Sequence, residues 1–564
     1  MKIALAQLNP TVGDLPANQQ RIIDAIESAR KQHADVVVFS ELAICGYPPR
    51  DLLLVEGFVD QCAAMVKSIG ESHTKDITMI LGTPLPVETE EGIANALVVY
   101  RDNEYITYYD KRLLPTYDVF DEDRYFYAGN QPCVIEIAGT KVGLAICEDL
   151  WQGGDAGFAD RYAQGIDPVA ELIDAGARLI IAPSASPFTL GKPNKHRDIL
   201  AHHAKKHGVP VVSVNQVGAN DDLIFSGLSA VVDSQGQIAA ESKRFQEDLM
   251  VVDTDQLDAD SRPNSDTVDD ERLIIEALTL GVHDYVTKCG FSKVCLGLSG
   301  GIDSAIVAAL GVRALGKDNV LGASMPGRFS SEGSKTDAFE LAKNMGMNCI
   351  TMPIETGFLG VSESINPAFE QIGQSTLGES LPDLTQENLQ SRIRGTMMMA
   401  LSNRTGALVL TTGNKSEIAV GYCTLYGDMN GGLAVIADIP KTMVFRVCRY
   451  MNEHFASLGY DAPPIPISTI EKPPSAELAP DQLDSDSLPD YEVLDEIVHR
   501  HIERHQNASQ IIDETKLDAD TVRRICTLID RNEYKRQQMA VGLKVTTKAF
   551  GPGRRMPIAH RWKR

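Results

Sequence analysis

The chain has 564 residues, too many for one hydrophobic core, so two large domains are expected. Its 43% apolar and 23% charged content are those of a globular protein and exclude a disordered chain. A formal net charge of −24 argues against nucleic acid or an anionic membrane as partner, so anionic substrates must meet positive charge in local pockets.

The opening, MKIALAQLNPTVGD, carries a single lysine and a short alternating segment and does not read as a secretory leader. No apolar run approaches the ~20 residues that span a bilayer. The ten cysteines are scattered singly with no C-x-x-C pair, which gives no zinc or disulfide pattern. A cytoplasmic protein with reduced thiols is expected.

In chain order, the first half offers short apolar runs of strand character: KIALAQL, DVVVFSE, TMILGTP, NALVVYR, YITYYDK, KVGLAICE, ARLIIAPS, VPVVSVNQ, LSAVVDS and LMVVDTD. Helical segments lie between some of them. PANQQRIIDAIESARKQHA opens on Pro16 and sets Ile22, Ile23, Ile26 and Ala29 on one face. An α/β layout with many strands follows. The polar, acidic stretch around DTDQLDADSRPNSDTVDDE reads as a linker. The domains expected are 1–255 and 269–564, with 256–268 between them.

The second half restarts with the amphipathic helix ERLIIEALTLGVHDYVTKCG. Then come the strand KVCLGLS, a glycine loop, the helix SAIVAALGVRALG, the strand NVLGASMP, the helix KTDAFELAKNMG and the strand NCITMPI. This alternation predicts a doubly wound parallel sheet with ligands at the carboxyl ends of its strands. The proline-rich stretch from Pro463 to Tyr491 has no period and reads as an extended loop.

The glycine loop LGLSGGIDSA joins a strand to a helix. Its backbone N–H groups and the positive end of the helix suit phosphate. Gly300 and Gly301 allow close approach, and Ser299 and Ser304 add hydroxyls. Asp303 would repel phosphate unless a cation lay between, which implies Mg²⁺. The Walker A spacing and its lysine are absent. SGGIDS resembles the PP-loop of ATP pyrophosphatases. That resemblance implies a loop that holds departing pyrophosphate while AMP is transferred to a substrate oxygen.

Three strand ends upstream carry chemistry. VVVFSE ends on Glu41, ITYYDK on Lys111 and VGLAIC on Cys147. A thiol nucleophile needs a base, a role open to Glu41, and a cation for its thiolate and oxyanion, a role open to Lys111. Singly, each is equally a surface charge or a buried small hydrophobe. Together, in these contexts, they resemble the triad of the nitrilase superfamily. The resemblance implies a four-layer αββα sandwich and amide hydrolysis through a thioester.

MPGRFSSEGS, QENLQSRIRG, TTGNKSEIAVGYCTLYGDMNGG, ADIPKT, EKPPSAELAP and TTKAFGPGRRMP follow SGGIDSA in that order. With the triad upstream, the whole resembles the family of glutamine-dependent NAD⁺ synthetases, ligases that form a carbon–nitrogen bond with glutamine as nitrogen donor. The implied reaction turns nicotinic acid adenine dinucleotide, ATP and glutamine into NAD⁺, AMP, pyrophosphate and glutamate. By the same resemblance Glu41 is the general base, Lys111 the oxyanion partner and Cys147 the nucleophile. Tyr117, Glu148, Ser186 and Lys192 would hold glutamine. Gly297, Leu298, Ser299, Gly300, Gly301, Ile302, Asp303, Ser304 and Thr412 would bind ATP. Asn388, Glu417 and Lys548 would contact the deamido dinucleotide, and Asp303 and Glu417 would carry Mg²⁺. A homo-oligomer is expected by analogy with relatives.

The phosphates of a dinucleotide call for basic residues, which gather at Arg392 and Arg394 and again at Lys548, Arg554 and Arg555. Ser184 and Ser391 stand where relatives often carry Asn and Ala. Free ammonia is mostly protonated at neutral pH, so a protected route between the sites is expected. Two alternatives remain at this stage. One is a PP-loop amidotransferase acting on another carboxylate or carbonyl, although position 2 is Lys2 and no N-terminal cysteine is present. The other is a non-catalytic nucleotide sensor.

Overall fold

The computed structural model describes residues 1–87, 92–151, 165–257, 268–378 and 382–562. They fall into two compact units divided after residue 267. Most of the expected linker, 258–267, lies outside the described residues.

The first unit runs β1 (Lys2–Gln7), α1 (Leu15–Lys31), β2 (Val36–Phe39), α2 (Phe58–His73), β3 (Thr78–Val87), β4 (Gly92–Arg101), β5 (Glu104–Asp110), β6 (Cys133–Ile137), β7 (Thr140–Leu144), α3 (Pro168–Asp174), β8 (Leu179–Ser184), α4 (Lys192–His207), β9 (Val211–Asn215), β10 (Val217–Asn220), β11 (Leu223–Ser226), β12 (Ala230–Val232), β13 (Ile238–Glu241) and β14 (Asp248–Asp253). Two six-stranded mixed sheets result, ordered β14-β1-β2-β3-β4-β5 and β13-β12-β9-β8-β7-β6, beside a β10–β11 hairpin.

Side-chain alternation builds the layers. Ile3, Leu5, Val36 and Val38 face one way and meet Val142, Leu144, Ile181 and Val212 of the other sheet. Their neighbours Ala4, Ala6, Val37 and Phe39 face the other way, onto Ile22 and Ile26 of α1 and Val66 and Ile69 of α2. On the far side Ile180, Ala182 and Val211 pack under Leu172 of α3 and Ile199 and Leu200 of α4. The arrangement is an αββα sandwich, as the nitrilase resemblance implies. Because β2, β3, β8 and β9 are buried on both faces, they read as nearly continuous apolar runs.

The second unit runs α5 (Asp270–Lys288), β15 (Val294–Gly297), α6 (Ile302–Leu315), β16 (Val320–Ser324), α7 (Glu332–Met345), β17 (Asn348–Thr351), α8 (Glu355–Gln371), α9 (Leu384–Thr405), β18 (Leu408–Thr411), α10 (Lys415–Val420), β19 (Leu433–Ala434), α11 (Lys441–Glu453), α12 (Ile467–Glu471), α13 (Tyr491–Val498), α14 (Ala508–Thr515), α15 (Ala519–Arg531), α16 (Glu533–Arg536) and β20 (Val541–Gly542). Its sheet, ordered β17-β16-β15-β18-β19-β20, is parallel throughout. From β15 the chain winds outward to β16 and β17, then returns to β18 on the other side. The loops after β15 and β18 therefore flank a switch point, where such folds bind ligands. The stretch expected as a plain loop at 463–491 contains α12 and a 3₁₀ turn, Asp484–Asp486. Among the described residues no helix is long and apolar enough to cross a membrane.

Candidate functional site

In the first unit three strand ends, two from one sheet and one from the other, deliver the three groups. Glu41 follows β2, Lys111 follows β5 and Cys147 follows β7, opening a 3₁₀ turn, Cys147–Leu150. All three are buried. The Lys111 ammonium donates to Glu41 Oε1 at 2.6 Å and to Glu122 Oε1 and Oε2 at 2.9 and 2.8 Å. Asn95 Nδ2 donates to Glu41 Oε1 at 2.7 Å, and the Ala185 N–H to Glu41 Oε2 at 3.0 Å. Tyr47 donates its hydroxyl to Glu122 at 2.8 Å. One buried cation thus lies between two buried carboxylates, and both carboxylates also accept neutral donors.

The electrostatics follow. Burial alone would lower the Lys111 pKa, but Glu122 and Glu41 reverse this and hold the ammonium well above its usual range. Burial, with Glu41 beside it, raises the Glu122 carboxyl to about 7 against the opposing pull of Lys111. Burial also pushes the Cys147 thiol well up; Glu41 adds to this, and Lys111 opposes it. The resting thiol is therefore protonated, and it becomes a nucleophile only by giving its proton to a nearby base. Cys147 has φ of +43°, a left-handed conformation that costs a non-glycine residue energy and recurs at functional turns.

Around the thiol, Tyr117 donates its hydroxyl to both oxygens of Glu148 at 3.1 Å. The Tyr117 and Phe120 rings meet edge to face at 5.4 Å, and the Lys192 ammonium stands 5.7 Å from the centre of the Phe120 ring. Ser186 and Lys192 line one small cavity with Asn215, whose Oδ1 accepts the Ser186 N–H at 2.9 Å. Glu122 and Asn95 were not legible in the sequence. Glu122 is one of several acids in the irregular run DVFDEDRYF, and Asn95 lies in mid-strand.

In the second unit the glycine loop closes on itself. Ser304 Oγ donates to the Gly301 carbonyl at 2.9 Å, and the Gly301 N–H donates to Ser299 Oγ at 3.1 Å. A cavity of about 310 Å³ opens over it. Its wall brings together Gly297, Leu298, Ser299, Gly301, Ile302, Asp303, Ser304, Thr412 and Glu417, with Arg394, Asp428, Lys441 and the 472–478 segment. Asp303 and Glu417 share one cation, the Lys441 ammonium, which donates to both carboxylates; its bond to Glu417 is 3.0 Å. Burial, with Asp303 and Asp484 adding to it, raises Glu417 to about 7 against the pull of Lys441. Lys441 did not stand out in the sequence beyond its place in ADIPKT.

Other expected groups lie elsewhere. Asn388 Oδ1 accepts the Thr424 hydroxyl at 2.9 Å, and the Lys548 carbonyl accepts from the buried Lys415 ammonium at 2.9 Å; neither residue lines this cavity. The basic gathering expected at the C-terminal end needs correction. Arg554 is buried against Glu533 and beside the Phe550 ring, so its charge serves an internal ion pair. Of Arg392, Arg394, Lys548, Arg554 and Arg555, Arg394 alone lines the cavity.

A carbon–nitrogen hydrolase family profile matches residues 2–263, and an NAD synthase profile matches residues 274–539. The chain is similar along 99% of its length to the glutamine-dependent NAD⁺ synthetase of Synechocystis sp., at 47% identity over 98% of that protein. The synthetases of Acinetobacter baylyi and Thermotoga maritima are 41% and 40% identical, each covering 100% of this chain and 99% of the relative. Among solved structures, the glutamine-dependent NAD⁺ synthetase from Acinetobacter baumannii in complex with ADP is 38% identical, with a TM-score of 0.75 over 99% of this chain and 98% of that one. The synthetase from Cytophaga hutchinsonii shares the fold, with a TM-score of 0.81 at 22% identity over 99% and 97%.

Two glycines test the geometry. A Cβ on Gly82 of β3 would stand 2.5 Å from the Ser40 carbonyl oxygen and the Leu42 nitrogen, the backbone that carries Glu41. Gly82→Ala is expected to lower glutamine hydrolysis about 10²-fold, read as glutamate release. Gly300 has φ of +79°, and its Cβ would stand 2.3 Å from the Ser334 carbonyl oxygen. Gly300→Ala is expected to weaken ATP binding about tenfold or more by calorimetry.

Proposed function

The chain belongs to the family of glutamine-dependent NAD⁺ synthetases, and on that premise we propose that it amidates nicotinic acid adenine dinucleotide to NAD⁺ with ATP and glutamine. The observation that carries the reading is that one chain holds both a thiol–carboxylate–ammonium constellation and a glycine loop at a helix N-terminus under a cavity.

In the first unit Glu41 takes the Cys147 proton, and the thiolate attacks the glutamine amide carbon. The Lys111 ammonium faces the oxyanion that forms. Ammonia leaves with the proton, and water then cleaves the thioester to glutamate and regenerates the thiol. Glu122 keeps two hydrogen bonds from Lys111 throughout, so the cation holds its place while Glu41 changes charge. Tyr117, Glu148, Ser186 and Lys192 orient the substrate.

In the second unit the substrate carboxylate attacks the α-phosphate of ATP. Pyrophosphate departs into the loop from Gly297 to Ser304, and an acyl adenylate remains. Ammonia displaces AMP from it to give the amide. Arg394, Lys441 and Lys472 supply positive charge at the cavity wall of an otherwise acidic chain. Asn388, Glu417 and Lys548 belong to the dinucleotide side of this proposal. Asp303 and Glu417 already share one cationic neighbour, so their donor set fits Mg²⁺. An ion held by one or two carboxylates and by substrate phosphates needs no third protein ligand. When bound there, Mg²⁺ would neutralise charge on the departing pyrophosphate. Catalysis by a homo-oligomer in the cytoplasm is part of the same proposal.

The two half-reactions separate by mutation. Cys147→Ala is expected to lower glutamine-driven NAD⁺ formation by more than about 10³-fold and to leave formation from ammonium chloride intact. Loss of both in a folded protein would overturn the division of labour. Asp303→Asn is expected to abolish NAD⁺ formation from either donor while glutamate release persists. Unchanged synthesis would remove Asp303 from the metal site.

A further inference from the structure

The first site draws its groups from two different sheets, and one buried side chain joins them. Asp149, with no exposed surface, lies two residues after Cys147 in the 3₁₀ turn. Its Oδ2 accepts the Ile146 N–H and the Tyr109 hydroxyl, both at 2.8 Å. Its Oδ1 accepts the Arg112 and Leu113 N–H groups at 3.1 and 2.9 Å. Ile146 immediately precedes Cys147, and Arg112 and Leu113 immediately follow Lys111. Lys111 follows an edge strand of one sheet, and Cys147 follows a strand of the other.

We infer that Asp149 is a positioning residue: by binding backbone on both sides, its carboxylate sets the distance between the Lys111 ammonium and the Cys147 thiol. The inference rests on the reading of Cys147 as the glutamine nucleophile.

The chemistry suits a carboxylate alone. Two oxygens offer about four acceptor positions, and all four are filled by donors. An asparagine would turn an NH₂ group toward two of those donors and leave buried N–H groups without partners. The far end of the turn is held separately, by His203 Nε2 at 2.7 Å from the Leu150 carbonyl oxygen. Burial takes that ring down to about 4, so it is neutral and donates from Nε2. With both ends fixed, the left-handed conformation at Cys147 is over-determined by its surroundings.

The consequence concerns the thiol's proton. Cys147 is faced by Glu41, Lys111, Glu122 and Glu148, and Tyr47 lies within electrostatic reach. Of these only Lys111 favours the thiolate. Loosening the Lys111–Cys147 distance therefore removes the one attraction and leaves the carboxylates, so the thiol titrates at higher pH.

The test uses the full-length protein. The rate of Cys147 alkylation by iodoacetamide is measured against pH on its own peptide by mass spectrometry. Alongside it are measured kcat and KM for glutamine hydrolysis and NAD⁺ formation from ammonium chloride. For Asp149→Asn the alkylation rate at neutral pH and kcat should each fall about 10²-fold, with the alkylation midpoint moved upward. KM for glutamine should rise less than kcat falls, by no more than about tenfold, because of the substrate contacts only Glu148 lies in the turn; ammonium-driven synthesis should stay within about threefold, because the second unit is untouched. An alkylation profile that superimposes on that of the unaltered protein overturns the inference, as does a loss confined to KM. Should Asp149→Asn fail to fold, Tyr109→Phe decides. It removes one of the four donors and should slow alkylation about threefold; an unchanged profile overturns the inference. If the unaltered protein releases no glutamate while the alkylation shift is still seen, the positioning stands and the assigned nucleophilic role fails.

Discussion

A single buried ammonium, that of Lys111, organises the first unit. It has no exposed surface and lies within hydrogen-bonding distance of two carboxylates, Glu41 and Glu122. Removing one partner of a buried pair typically costs about 3–5 kcal/mol, because the remaining charge is left without water. The fold must therefore bring all three groups together or exclude them all. It does so by ending β2 and β5 at the same level of one sheet and by bringing the loop after β5 back over them. Asn95, Ala185 and Tyr47 add neutral donors to the two carboxylates.

The second unit repeats this solution with different residues. Lys441 lies between Asp303 and Glu417, and Lys415 lies between Asp438 and Glu503. In a chain of net charge −24, buried lysines let acidic groups gather without mutual repulsion. The Lys415 pairings have a further effect. That ammonium also binds Thr546 Oγ1 and the Lys548 carbonyl, so the helix that carries Glu417 is tied to the segment that carries Lys548. Lys548 lies outside the cavity wall, but its backbone is fixed relative to that wall.

Much of this was readable in the sequence where chemistry coincided with regular structure. Short apolar runs gave most strands of the sandwich, and the glycine loop stood between a strand and a helix as the alternation of the second half required. Glu41, Lys111 and Cys147 were legible because each ends an apolar strand. The groups that complete the sites were not. Glu122 sits in an irregular acidic run, Asn95 lies inside a strand, and Asp149 acts only through backbone amides remote in sequence. Strands β6, β10, β11 and β13 of the first unit and β18, β19 and β20 of the second were missed because two to five residues carry little periodicity. Arg554 misled in the opposite direction. A basic residue in a Gly-rich tail reads as a phosphate contact, and only tertiary structure reveals Glu533 and Phe550 around it.

The burial that lifts the Cys147 thiol looks at first like an obstacle to nucleophilic chemistry. In the proposed reaction it is not, because the proton moves within the site. Before transfer the buried groups are a thiol, the Glu41 carboxylate and the Lys111 ammonium; afterwards they are a thiolate, the Glu41 acid and the same ammonium. No net charge is created, so the large cost of adding charge to a dry interior does not arise. What changes is the place of the negative charge, and Lys111, held from the other side by Glu122, can attract it at either position. A water-filled site would lower the thiol's pKa but would weaken that attraction. Burial therefore keeps the resting thiol protonated and reserves the thiolate for the moment when a substrate carbonyl is there to receive it.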